Sequence, residues 1–96
     1  MTNPTFKLVE QGEYLSSRHV ASSLRERILL VGGPVVVDLS GVESLSDSFA
    51  DELFAVLVQA HGHDWFAANI SVVGLSHPIR QTILRAVHLR CESQVA

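Results

Sequence analysis

The chain has little of several residue types that mark specialised protein classes. Its 96 residues include one cysteine, Cys91, so no internal disulfide can form, which fits a reducing compartment. No apolar run approaches the about 20 residues of a membrane span, and the polar opening Met1-Thr2-Asn3-Pro4 is not typical of a signal peptide. These absences predict a cytoplasmic protein that does not act at a membrane.

Basic residues are also few. Seven lysines and arginines stand against ten aspartates and glutamates, a net charge of −3, whereas a nucleic-acid surface needs clustered Lys and Arg. Aromatic residues make up only 6% of the chain, but apolar residues together reach 47%, enough for a folded core. We therefore predict a single domain over residues 1–96, with frayed tails at residues 1–4 and 90–96, and no nucleic-acid partner.

Apolar periodicity predicts strands that alternate with helices. Strands are predicted at residues 6–9, 14–15, 35–37 and 70–73, and the unbroken run Val35-Val36-Val37 is typical of a strand covered on both faces. Helices are predicted from Ser16 or Ser17 to Gly32, over about residues 49–60, and after Ser76 or His77. This alternation predicts an α/β fold, a single small domain with a mostly parallel or mixed sheet of about four strands and three helices.

The stretch between Asp38 and Glu52 carries the strongest functional signal. Ser48 and Asp51 match the Ser-x-x-acid spacing of a capping box, so Ser48 is predicted to cap the second helix. A helix start combines free backbone N–H groups with the positive end of the helix dipole, which suits an anion, a phosphate or a partner's carboxylate. The helical pattern also predicts that Asp51, Glu52 and Gln59 face water.

Three segments resemble one bacterial family. They are Ser17-Arg18-His19-Val20-Ala21, Asp38-Leu39-Ser40-Gly41-Val42 and Ser48-Phe49-Ala50-Asp51-Glu52. In this order they are similar to the STAS-like family of small bacterial proteins, and more distantly to STAS domains, the anti-sigma-factor antagonist modules. The antagonist motif runs from a valine-rich strand to Asp-Ser-Ser-Gly-Leu; here Phe49 stands in place of its glycine. The resemblance implies a STAS-like fold over most of the chain.

The same resemblance implies a non-catalytic regulatory module that binds a partner protein. In the antagonist modules the motif's second serine, which corresponds to Ser48, is phosphorylated by a histidine-kinase-like ATPase acting on serine. Ser46 is the second candidate for phosphorylation. The implied partner surface comprises the loop at residues 44–48 and the exposed side of the helix that follows, with the candidate contact residues Ser44, Ser46, Asp47, Ser48, Asp51 and Glu52. Because these acids would repel a phosphate, phosphorylation is expected to disrupt an interface more readily than it orders a loop.

Two other functions remain as alternatives. The first is a small-molecule or anion-binding sensor that uses the same helix N-terminus, and the second is a structural subunit that forms a homodimer. Trp65-Phe66 fits either a core position or an exposed patch used for association.

Catalysis and metal binding have little support in the sequence. There is no Gly-x-Ser-x-Gly motif or glycine-rich phosphate loop. Asp38 at a strand end fits a general base, but more often such a residue holds the following loop, and Asp38 and Gly41 are therefore predicted to be structural. The group His61, His63 and Asp64 resembles a metal cluster but is more typical of a solvated helix end. We predict no enzyme activity, no cofactor and no metal.

Overall fold

Five strands form two separate parallel sheets in the computed structural model, which describes residues 3–92. The larger sheet has the order β1 (Thr5–Lys7), β3 (Val35–Asp38) and β5 (Ile70–Val73), and the smaller pairs β2 (Tyr14–Leu15) with β4 (Ser44–Leu45). Parallel pairing is confirmed, but the prediction of about four strands is wrong. Residues 44–45, predicted as part of a loop, form a fifth strand that pairs with residues 14–15.

The described residues contain four helices, not the predicted three. They are α1 (Arg18–Val31), α2 (residues 47–61), α3 (His63–Asn69) and α4 (His77–Glu92). The additional helix is α3, which lies between the helix predicted at about residues 49–60 and the strand predicted at residues 70–73. Gly62 separates it from α2 with a φ of 93°, a backbone conformation that other residues rarely adopt. Residues 8–11 form a turn of 3₁₀ helix, so the first strand ends earlier than predicted.

Local capping signals identified the ends of α1 and the start of α4 correctly. The Ser17 hydroxyl accepts a hydrogen bond from the Val20 N–H at 3.2 Å, and Gly32 ends α1 with a left-handed φ of 74°. Ser76 Oγ accepts from the Ile79 N–H at 3.4 Å. Of the predicted tails, residues 1–2 and 93–96 lie outside the described residues, and residues 90–92 belong to α4.

The larger sheet is buried on one face only. Val35 and Val37 are 0% exposed, whereas Val36 and Asp38, which point to the other face, are half-buried. The register neighbours of Val36 are Thr5 and Ser71, both exposed. The prediction that this strand is covered on both faces is therefore wrong, because an unbroken valine run does not reveal how many layers pack against it.

Helix α2 lies at the centre of the helical layer. Phe49, Leu53, Phe54 and Leu57 on this helix are at most 1% exposed and join the single hydrophobic core. Both α1 and α4 pack against α2 over residues 47–55. The molecule is thus a small α/β domain in which α2 begins between two flanking helices. No helix among residues 3–92 has the length and apolar character needed to cross a membrane.

Candidate functional site

The small sheet fixes where α2 begins. Ser46 follows β4, and its N–H donates to the Leu15 carbonyl at 2.8 Å. Its backbone is extended, with φ −72° and ψ 159°, and its hydroxyl accepts a hydrogen bond from the Phe49 N–H at 3.0 Å. Ser46 is therefore the N-cap of α2, and the prediction that Ser48 caps this helix is wrong. The capping-box spacing predicted the wrong serine: the Asp51 carboxylate binds Arg18 and Arg90 and does not reach back to the start of the helix.

Ser48 lies in the first turn of α2 and is half-buried. Its hydroxyl makes no hydrogen bond to any other residue of the described range 3–92. It lines a pocket of 180 Å³ between the start of α2 and the middle of α4, together with Arg18, Asp47, Asp51, Arg85, Ala86 and Leu89. The hydroxyl is thus accessible and is not used to hold the fold.

Asp51 joins α2 to both flanking helices. Arg90 of α4 donates two hydrogen bonds to its carboxylate, Nε to Oδ1 at 2.6 Å and Nη2 to Oδ2 at 2.7 Å. Arg18 of α1 donates to the same Oδ2 at 2.9 Å. Arg90 Nη1 also donates to Gln59 Oε1 at 2.9 Å. A bidentate arginine–carboxylate pair of this kind is among the stronger polar contacts in proteins.

Glu52 and Asp47 make the remaining ion pairs of this region. Arg25 of α1 donates to Glu52 Oε2 at 2.7 Å and also to the Glu52 backbone carbonyl, and Arg18 approaches Oε1 at 3.4 Å. Arg85 of α4 donates to Asp47 Oδ1 at 2.6 Å. The prediction that Asp51, Glu52 and Gln59 face water is therefore wrong. Four arginines and three acids thus form an arginine–acid cluster: Arg18, Arg25, Arg85, Arg90, Asp47, Asp51 and Glu52.

The middle of α2 is a turn of π-helix at residues Asp51–Ala55, closed by a hydrogen bond from the Val56 N–H to the Asp51 carbonyl. Its first two residues are Asp51 and Glu52, and its last three are buried. Turns of this kind are rare and are often found at functional sites. Here the wider turn begins with the two acids that bind the flanking arginines. The apolar pattern of α2 contains no signal for it.

Ion pairing keeps Asp51 and Glu52 charged. Hydrogen bonds from Arg90 and then Arg18 lower the pKa of Asp51 to about 2. The hydrogen bond from Arg25 is the main cause of a lowered pKa at Glu52. Both carboxylates are therefore ionised at neutral pH. With four arginines and three acids, the arginine–acid cluster carries one net positive charge.

None of the four arginines was predicted as a site residue, and Arg90 falls within the predicted C-terminal tail. Its partner Asp51 is 39 residues away along the chain. No local spacing links two residues so far apart. The other predicted residue on this side, Ser44, lies exposed in β4 at the edge of the small sheet, two residues before Ser46.

Asp38 and Gly41 lie in the loop that follows β3. Asp38 Oδ1 accepts a hydrogen bond from the Ser40 N–H at 2.9 Å, which lowers its pKa, so it holds this loop in the manner predicted. Gly41 has a φ of 84°, and a Cβ there would lie 3.2 Å from a Val9 methyl carbon. Gly74, after β5, is more tightly enclosed: a Cβ would lie 2.6 Å from the Ser40 nitrogen. These residues shape the loop and do not line the Ser48 pocket.

His61 and His63, considered above as metal ligands, lie at the end of α2 and the start of α3. The His61 ring stacks on the Trp65 ring with centroids 4.4 Å apart. Within residues 3–92, no three side chains of His, Cys, Asp or Glu come together in a way that would hold a metal ion.

The two serines at the start of α2 give a matched test of this geometry. Ser46→Ala should destabilise the domain by about 1 kcal/mol, because the Phe49 N–H loses its capping oxygen. Ser48→Ala should change stability by less than about 0.5 kcal/mol, because its hydroxyl holds nothing in the fold. Chemical denaturation of both variants measures the difference. A larger loss for Ser48→Ala than for Ser46→Ala would contradict the assignment of the cap.

Comparison with known proteins identifies the class. The family model described as a STAS-like domain of unknown function (DUF4325) matches residues 20–80, which is more than half of the chain. The protein belongs to this STAS-like family. No curated protein and no solved structure matches it.

Proposed function

We propose that this chain is a non-catalytic regulatory module of the bacterial cytoplasm that binds a partner protein through the surface around Ser48, under the control of phosphorylation at Ser48. The observation that carries the proposal is the Ser48 hydroxyl, which is accessible in a pocket and takes no part in holding the fold. Ser46 is the weaker candidate for phosphorylation, because its hydroxyl caps α2. Membership of a STAS-like family supports a regulatory role.

The proposed partner surface combines charge with apolar area. Asp47 and Arg85 are ion-paired but well exposed, with side chains 73% and 54% accessible. Leu89, on the same pocket, is 62% exposed and supplies an apolar contact. Ser44 and Ser46 extend this surface toward the small sheet. Asp51 and Glu52 contribute by holding Arg18 at the pocket.

The proposed modifying partner is a histidine-kinase-like ATPase acting on serine. In this step the γ-phosphoryl group of ATP moves to Ser48 Oγ. The bond between that phosphorus and the bridging oxygen of ADP breaks, ADP leaves, and the hydroxyl proton passes to solvent or to a base on the kinase. The family resemblance supports this class of partner.

The test compares charge at constant size. The partner is first recovered from the native cell with the unmodified protein and identified, and then titrated against purified variants. Ser48→Glu should weaken binding by about tenfold or more, because a new charge must be desolvated or repelled at the interface. Ser48→Gln, which has the same size without the charge, and Ser48→Ala should bind within about threefold of the wild type. All three should melt close to the wild type.

Equal affinities for the Glu and Gln variants would contradict control by charge at Ser48. Mass spectrometry of the protein from its native cell tests modification directly, and phosphate on Ser46 alone would reassign the site. A second candidate function, an anion sensor, is supported by the two arginines that line the pocket. It requires that inorganic phosphate or a nucleotide binds the isolated protein and that Arg85→Gln abolishes this binding.

A further inference from the structure

The four arginines of the arginine–acid cluster fall into two pairs. The side chains of Arg25 and Arg90 are 17% and 31% exposed, and each makes several hydrogen bonds to α2. The side chains of Arg18 and Arg85 are 51% and 54% exposed. Among the described residues, Arg18 and Arg85 each bind acids through one nitrogen only. Only the exposed pair lines the pocket that contains Ser48.

We propose that Arg18 and Arg85 form a receptor, within the same chain, for a phosphoryl group on Ser48, while Arg25 and Arg90 keep α1, α2 and α4 joined. The proposal rests on the proposed function only in taking Ser48 as the modified residue. Guanidinium groups bind phosphate oxygens through paired N–H donors, and each of these two arginines has further N–H groups to offer. The phosphate competes with Asp51 for Arg18 and with Asp47 for Arg85.

The charge balance of the whole arginine–acid cluster favours this exchange, whereas the four charged residues that line the pocket itself sum to zero. The acids alone predict repulsion of a phosphate at Ser48. With its four arginines and three acids counted together, however, the cluster carries one net positive charge. A phosphoserine adds about −1.5 to −2 at pH 7. Phosphorylation therefore changes the sign of the cluster, and it leaves Asp47 without Arg85. A partner that docks on this surface then meets a negative face in place of a positive one.

When Arg18 and Arg85 move from their acids to the phosphate, the contacts between the helices remain largely intact. Asp51 keeps both hydrogen bonds from Arg90, and Glu52 keeps Arg25. The phosphorylated domain should therefore stay folded. Its surface charge changes while the packing of α2 against α1 and α4 does not.

The test uses protein with phosphoserine installed at position 48 by genetic encoding, with no kinase or partner present. A ³¹P NMR titration then gives the second pKa of the phosphate, which is about 6 without nearby charges. Two adjacent cations favour the dianion, so this pKa should fall by about half a unit or more. Arg18→Gln with Arg85→Gln should restore it to about 6 or above. Arg27→Gln is the control, since this arginine of α1 lies over the Phe6 ring, away from the pocket.

A second pKa at or above about 6 in the unsubstituted phosphoprotein would overturn the proposal, as would the same lowered value in the double variant. Thermal melting of each single variant checks that the fold persists, and either single variant alone should reverse part of the shift. A lowered pKa with no partner found leaves the receptor standing and removes only the interaction module. If a partner is sensitive to Ser48→Glu but the phosphate pKa is not shifted, the interaction module stands and the phosphate receptor is ruled out.

Discussion

Val37→Asp should unfold the domain, whereas Val36→Asp, one position earlier on the same strand, should leave it folded. Val37 is 0% exposed, and its register neighbours Phe6 and Val72 pack against the core, so a carboxylate there has no partner and no water. The expected cost is about 4 kcal/mol or more, comparable with the about 5–15 kcal/mol that stabilises a typical domain. Val36 faces the open side of the sheet, where the cost should be about 1 kcal/mol.

Urea denaturation followed by circular dichroism measures both variants. Val37→Asp should show no cooperative transition, and Val36→Asp should show one with an unchanged m-value and a lower midpoint. Val36→Asn and Val37→Asn separate the effect of charge from that of polarity. Comparable losses at positions 36 and 37 would mean that the sheet is covered on both faces, against the structure.

Asp51→Asn should destabilise the domain by about 1–2 kcal/mol at neutral pH, after allowance for screening of a pair that retains some contact with water. The amide keeps the size of the side chain but removes the charge that Arg90 and Arg18 bind. Glu26→Gln is the matched control, because this acid on α1 is exposed and makes no ion pair among residues 3–92. It should change stability by less than about 0.5 kcal/mol.

The same variant has a defined pH dependence. The pKa of Asp51 is lowered from 3.8 in the unfolded chain to about 2 in the folded state. The unfolded state therefore takes up the proton first, and the stability that Asp51 contributes is complete above about pH 4 and is lost as the pH falls toward 2. The free energies of unfolding of the wild type and of Asp51→Asn should converge over this range. A constant difference between pH 7 and pH 2 would show that the charge of Asp51 is not what stabilises the fold.

Signals that act within one turn of the chain were sufficient for much of the fold. The Ser17 hydroxyl marks the start of α1 and Gly32 marks its end. Both could be predicted because capping depends on neighbours three or four residues away. Asp38 holds its loop by a hydrogen bond to the nitrogen two residues on. The family was predictable for the same reason, since its motifs are continuous segments that lie largely within the matched residues 20–80.

The start of α2 shows where such reasoning stops. Two serines two residues apart both fit a cap, and the pairing of β4 with β2 places Ser46 at that position. The Ser48 hydroxyl then makes no capping hydrogen bond, and for this reason Ser48 is the candidate site. This choice depends on residues 14–15, more than 30 positions earlier, and not on the helix sequence.

The sequence by itself determined the α/β class, the ends of α1, the loop after β3 and the family, because each depends on contacts within a few residues or on continuous motifs. Tertiary structure decided which face of the sheet is open, which serine caps α2 and which arginine binds which acid. Arg18 and Arg90 meet Asp51 across 33 and 39 residues of chain, and only the packing of α1 and α4 on either side of α2 brings them together. Side chains that a helical pattern assigns to water thus become ion-paired once two other helices cover that side.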